Sequence, residues 1–285
     1  MFNYHKQEQS LKTPKRPSQP PRRRSSAASM SPGPDGGKLF SLQCILDVKR
    51  GQETQDLARV RRQEQQFDAR SKDSVASILR HATFLRWMAL NEPDVVYIEG
   101  RLEKAYGNTS PISYFCAQLV WKLKESPPTT ATLHYFCGQH TASNDVLRGP
   151  RGLMRCLVSQ LLRVWPIGIS LDDVNLEGVD HESSISIHEL CHVFEVIANQ
   201  VPHQHTIICI IDDITRLERD EWSEDFWVLM RMLGRMASGG DEDEEDGPCF
   251  KVLITSSTQS RWLRDENKVD EAHRILVTDN GLACR

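Results

Sequence analysis

Four apolar runs rich in β-branched residues recur along this chain, at Val95–Ile98, Thr132–Cys137, Thr206–Ile211 and Phe250–Thr255, with a weaker fifth at Arg274–Thr278. The first four are separated by stretches of helical periodicity at Pro111–Leu123, Arg151–Val164, Ile187–Val201 and Asp225–Met236. Parallel strands need a crossover long enough to hold a helix, and strands covered on both faces read as unbroken apolar runs. The alternation therefore predicts an α/β domain: a mostly parallel sheet in three layers, with helices on both faces.

Other segments are placed around that domain. Ser74–Leu90 carries Val75, Ile78, Leu79, Phe84, Leu85 and Met88 at helical spacing, with Asp73 as the expected cap and Asn91-Glu92-Pro93 as the stop. Residues 39–72 are expected to be a charged helical segment packed on the outside of the body, and 73–285 the sheet-containing domain. Residues 1–38 hold eight basic and two acidic residues and almost no apolar side chains, so they read as a disordered basic tail. That tail is +6, and since the chain as a whole is −4, the rest is −10. The loop 239–248, with its run Asp241–Asp246, is expected to be exposed. None of the eight cysteines forms a C-x-x-C pair, no apolar leader follows Met1, and no apolar run is long enough to span a bilayer. These features point to a soluble cytoplasmic protein with reduced, buried thiols. The basic residues within 15–24 offer a route to the nucleus, and Ser25 and Ser26 suit a basophilic kinase.

Chemistry is expected first at Val95–Ser110, a strand running through a loop into a helix. Glycines in such a loop let backbone N–H groups converge on phosphate oxygens, while a lysine and a hydroxyl hold the terminal phosphates and Mg²⁺. Against G-x-x-x-x-G-K-[ST], Gly100 and Gly107 have six residues between them instead of four; Asn108 takes the lysine position and Thr109 the hydroxyl position after Gly107. The run Ile207–Ile211 then ends in Asp212 and Asp213, a Walker B pattern in which a buried strand fixes an Asp for the Mg²⁺ shell. Phe250–Thr255 ends in the hydroxyls Thr255-Ser256-Ser257, as the neighbouring strand that senses a γ-phosphate would.

With these pieces in order, Ile78–Ser257 resembles the P-loop domain of fungal STAND proteins of the NACHT and NACHT-like kind. The likeness is carried by Val96–Gly100, His134–Gly138, Arg151–Leu157, the Walker B strand and Val252–Ser256. It implies a P-loop NTPase-like fold from a family that couples ATP or GTP binding and hydrolysis to assembly of large receptors carrying effector and repeat-sensor domains. It also implies Gly100, Gly107 and Thr109 as phosphate-loop residues and Asp212 as the Mg²⁺-linked acid. The chain departs from the pattern at Asn108, at Thr215 and Arg216 where the family has an acidic pair, and at Ser257 in place of an arginine. Removing charged donors from a developing phosphoryl charge costs several kcal/mol of barrier, so these changes argue against turnover. Lys104 remains as a loop lysine and Asp213 as a base.

His188-Glu189-Leu190-Cys191-His192 is a literal H-E-x-x-H, which on a helix sets two imidazoles one turn apart for zinc. Its continuation has Glu195 and Ala198 where the metzincin pattern needs Gly and His, and Leu190, Phe194, Ile197 and Val201 form the buried stripe on the other side. The six tryptophans fit core or helix packing better than nucleic-acid stacking, and the body's acidity opposes duplex binding outside the tail. The resulting expectation is a degenerate, non-catalytic or weakly nucleotide-binding scaffold or regulatory module that needs no cofactor. It would meet protein partners through the basic tail, the charged helices or the acidic loop. The alternatives are a residual switch or NTPase using ATP or GTP with Mg²⁺, and a zinc hydrolase at 188–192.

Overall fold

Every expected strand forms, and the packing explains why the sequence there reads as unbroken apolar. In the computed structural model, β1 (Asp94–Arg101), β2 (Thr130–Phe136), β3 (Thr206–Asp212), β4 (Cys249–Ser256), β5 (Arg274–Thr278) and β6 (Gly281–Leu282) form one sheet in the order β2-β3-β4-β1-β5-β6. All neighbours are parallel except β5 and the short, unanticipated β6, where Val277 pairs with Leu282. The structure describes residues 34–101, 107–165, 168–174, 185–239, 247–264, 269–278 and 281–282, all within the compact unit 33–285. The expected tail and acidic loop therefore lie mostly outside the described residues.

Alternate residues of each strand enter different cores. Tyr97, Tyr135, Cys209 and Val252 face one core, built with α1 (Pro34–Leu46), α6 (Gly149–Val164), α7 (Ile187–Asn199) and α8 (Ser223–Ala237). Val96, Ile98, Ile210 and Leu253 face the other, built with α2 (Gln52–Arg61), α3 (Ala69–Ala76), α4 (Ala82–Ala89) and α5 (Pro111–Leu123). The result is a three-layer α/β fold, a mostly parallel sheet with helices on both faces.

The helix expected over 74–90 is two helices. Asp68, not Asp73, caps α3 by accepting from Ser71 N at 2.8 Å, and after a 3-10 turn at Ser77–Arg80 the backbone of His81 is extended. The break has a geometric cause. At 100° per residue, Val75 and Phe84 would lie on opposite sides of a continuous helix, yet both are buried in the same core. Turning the second segment brings Phe84 and Trp87 inward and leaves Leu79, Leu85 and Met88, expected inside, substantially exposed.

The charged segment after the tail lies against the body through a few buried apolar side chains. α1 buries Leu42 and Leu46 on one face and α2 buries Leu57 and Val60 on the other, so the chain passes beside β2, the edge strand. His134 of β2 bonds the Glu53 carbonyl at 3.1 Å, and Arg155 of α6 donates to the Leu46 carbonyl at 2.6 Å. All seven described cysteines are free thiols, six of them buried. Among the described residues no helix is long and apolar enough to cross a membrane. Trp87 and Trp262 are buried as expected; Trp121 and Trp222 instead carry arginines on their rings, Arg61 on the first and Arg148 and Arg219 on the second.

Candidate functional site

The carboxyl ends of β1, β4 and β3 lie side by side, the edge at which open parallel sheets hold ligands. Gly100 stands near the end of β1, packed so closely against Ile112 and the Ser256 and Ser257 carbonyls that a Cβ would collide. Residues 102–106, with Lys104, lie outside the described residues. The chain resumes at Gly107, in the left-handed region at φ 62°. α5 then starts with a reciprocal cap: Ser113 N donates to Ser110 Oγ at 3.0 Å and Ser110 N to Ser113 Oγ at 3.1 Å, with Pro111 at the first helical position.

The two polar side chains at the phosphate-loop positions are held by the connection after β2. Asn108 Nδ2 donates to Thr141 Oγ1 at 3.0 Å, and Gln139 Nε2 donates to Thr109 Oγ1 at 3.2 Å. Gly138 makes this approach feasible, because a Cβ there would strike the Asn108 carbonyl. Sequence reasoning found Thr109 and missed Gln139; the signal was present in Gly138, a glycine ending a strand.

Asp212 ends β3 and Asp213 follows it, each 2% exposed. Asp213 N donates to Thr255 Oγ1 at 3.2 Å, and that hydroxyl donates to Asp212 Oδ1 at 2.8 Å, while Ser113 of α5 bonds the same carboxyl. Burial, reinforced by the neighbouring Asp213 charge, pushes the Asp212 pKa up to about 7 against these hydroxyl bonds. Asp213 turns the chain in the left-handed conformation, which a short Asp side chain tolerates. Its Oδ1 accepts from Thr215 Oγ1 and Ser257 Oγ, each at 2.8 Å, and from Ser257 N at 3.1 Å; its Oδ2 accepts from Arg216 Nε at 2.8 Å. Arg216 Nη2 also comes within 3.5 Å of the Gly107 carbonyl. Thr215 and Arg216 thus serve Asp213.

Among the described residues, which leave out 102–106 and with them Lys104, the donor set fits a Mg²⁺–triphosphate poorly. Such a group needs a cation at the loop and a carboxylate open to the metal's water shell. Asn108 at the lysine position is neutral, Asp212 is bonded inward with its pKa pushed up to about 7, and both oxygens of Asp213 already accept from protein donors.

The H-E-x-x-H lies on α7 with His188 and His192 exposed, as its periodicity predicts. Its glutamate has another task. Ser186 N donates to Glu189 Oε2 at 2.8 Å and Glu189 N donates to Ser186 Oγ at 3.2 Å, so Glu189 closes the helix cap, and those bonds hold its pKa below the ordinary carboxylate value. His192 Nε2 is 3.2 Å from the Asp173 carbonyl. Glu218, a candidate third ligand, accepts from Ser260 Oγ and from Arg261 N and Trp262 N; Glu221 pairs with Arg148 at 2.8 Å. Among the described residues no three metal-binding side chains converge.

No protein-family model matches the chain, and no curated protein matches it. Among solved structures, the chain is similar to the ORC2 protein of Aeropyrum pernix in its ADPNP–ADP complexes, at 14% identity and a TM-score of 0.35. That match covers 77% of this chain and 48% of the other, so the chain spans about half the length of the structure it matches.

Proposed function

We propose that this chain is a P-loop-like scaffold or regulatory module, related to fungal STAND domains, that does not turn over nucleotide. The observation that carries the reading is the state of Asp213: both carboxylate oxygens accept from the protein itself, three donors on one and Arg216 on the other. The lone pair left on Oδ2 lies beside the Arg216 guanidinium, whose positive charge opposes both proton uptake by a general base and approach of a metal cation. The departures at Asn108, Thr215, Arg216 and Ser257 remove the charged groups that phosphoryl transfer uses. Partner contacts are assigned to the basic tail, the N-terminal helices and the acidic loop.

A second reading, nucleotide binding without hydrolysis, is favoured by one observation: Arg216 brings a guanidinium to the Gly107 carbonyl, beside a loop whose lysine position holds Asn108. Calorimetric titration of the full chain with ATP and GTP, with and without Mg²⁺, separates the two. The scaffold reading expects no micromolar binding and no phosphate release; micromolar, Mg²⁺-dependent binding abolished in Asp212→Ala overturns it.

A further inference from the structure

His140 lies beyond the carboxylate corner, on the connection between β2 and α6, and its side chain is 3% exposed. Its two ring nitrogens face two different carboxylates: Nε2 is 3.1 Å from Asp56 Oδ2 and Nδ1 is 2.9 Å from Asp145 Oδ2. A neutral imidazole has one N–H and one lone pair, and a carboxylate has only lone pairs. Both contacts are hydrogen bonds only when the ring is an imidazolium. In the neutral ring one nitrogen sets its lone pair against a carboxylate oxygen.

Neither carboxylate is free to swing away. Asp56 accepts from Gln52 Nε2 at 3.0 and 3.1 Å and from Arg59 Nη1 at 3.2 Å, all within α2. Asp145 accepts from Leu147 N at 2.8 Å through its other oxygen. The imidazole stacks on Tyr135 with centroids 4.8 Å apart, and the Tyr135 hydroxyl donates to the Leu147 carbonyl. Other titratable groups around the cluster are Glu53 of α2, His134 of β2, whose pKa burial lowers to about 4 so that it stays neutral, Cys137 just after β2, and Cys156 and Arg163 of α6. Burial pushes Tyr135 and both thiols upward, so they stay uncharged near neutrality.

We propose that His140 is a proton-operated latch: the charged ring ties α2 to the connection that follows β2, and loss of its proton loosens that tie. Whichever nitrogen keeps a proton, the buried Asp56 then faces a ring without charge. Burial lowers the His140 pKa, but the bonds and charges of Asp56 and Asp145 outweigh it and hold the value above the ordinary 6.5. A histidine raised in this way stabilises the fold fully below 6.5, and the contribution is lost as pH rises through its folded-state value. The latch is tight on the acid side and loosens on the alkaline side. Its position gives it reach, because His140 stands between Gln139 and Thr141, the residues that hold Thr109 and Asn108. It requires no bound nucleotide, so it stands independently of the reading above.

The test uses the full chain with ¹⁵N-histidine labelling, His140 being assigned by the resonances that His140→Gln removes. Expected are two protonated ring nitrogens at pH 6.5 and a midpoint above that value. Amide exchange over Gln52–Arg61, corrected for intrinsic base catalysis, should rise about tenfold across that midpoint, while Ile187–Asn199 stays flat. Asp56→Asn should lower the midpoint and remove the response of α2. A neutral ring at pH 6.5, or exchange in α2 that ignores the midpoint, overturns the proposal, and both are read on the unmodified chain even if the variants do not fold.

Discussion

β1 and β3 each carry a carboxylate at the same edge of the sheet, and the chain holds the two in opposite ways. Glu99, 0% exposed, is paired with Arg274 of β5 and with Arg101 Nε at 3.3 Å, so it faces cationic side chains. Asp212, 2% exposed, meets hydroxyls from Thr255 and Ser113 and an adjacent acid, so burial drives it toward the protonated form near pH 7. One strand end is built as an ion pair and the other as a hydroxyl-lined acid. A sheet edge that invites a charged ligand is here occupied by the protein's own groups.

The contrast is broken most directly at Glu99. Glu99→Gln neutralises a fully buried carboxylate that pairs with Arg274, itself only 10% exposed, and should cost about 3–5 kcal/mol by urea denaturation, since breaking a buried pair from one side is strongly destabilising. A loss under about 1 kcal/mol would mean that β1 does not depend on the pair. Asp212→Asn tests the other arm, with the opposite sign. Folding raises the Asp212 pKa from 3.8 to about 7, so the stability this carboxyl contributes is full below 3.8 and declines as pH rises through 7. Asparagine suffers no such loss. The variant should match the parent near pH 4 and exceed it by on the order of 2 kcal/mol at pH 8; a parent as stable as the variant at pH 8 would show an acid that ionises without penalty. The smallest effect belongs to Arg101→Ala. Arg101 is 41% exposed and Glu99 keeps Arg274, so a change within about 0.5 kcal/mol is expected, and a larger one would make Arg101 an equal partner in the pair.

The same residues mark what could be read in advance. The strands were legible because Ile207–Ile211 and its counterparts are apolar on both faces, a property of the local sequence alone. Asp212, Asp213, Gly107 and Thr109 were legible because they follow such runs or open a helix. Their partners were not. Arg274 meets Glu99 across 175 residues and Thr255 meets Asp212 across 43, contacts set by which strands become neighbours. The split between α3 and α4 escaped for a related reason: spacing of three and four residues looks helical locally, while the conflict between Val75 and Phe84 accumulates over nine. His140 carries no motif; its meaning comes from Asp56, 84 positions earlier.

The N-terminal path beside β2 has a consequence for self-association. β2 is a border strand whose outer backbone is a template on which another chain could add a strand, and α2 lies against it with His134 bonded to Glu53. The first helices therefore act as a guard rail: whatever detaches them, a protease or a lost proton at His140, would leave the sheet a border open to strand addition.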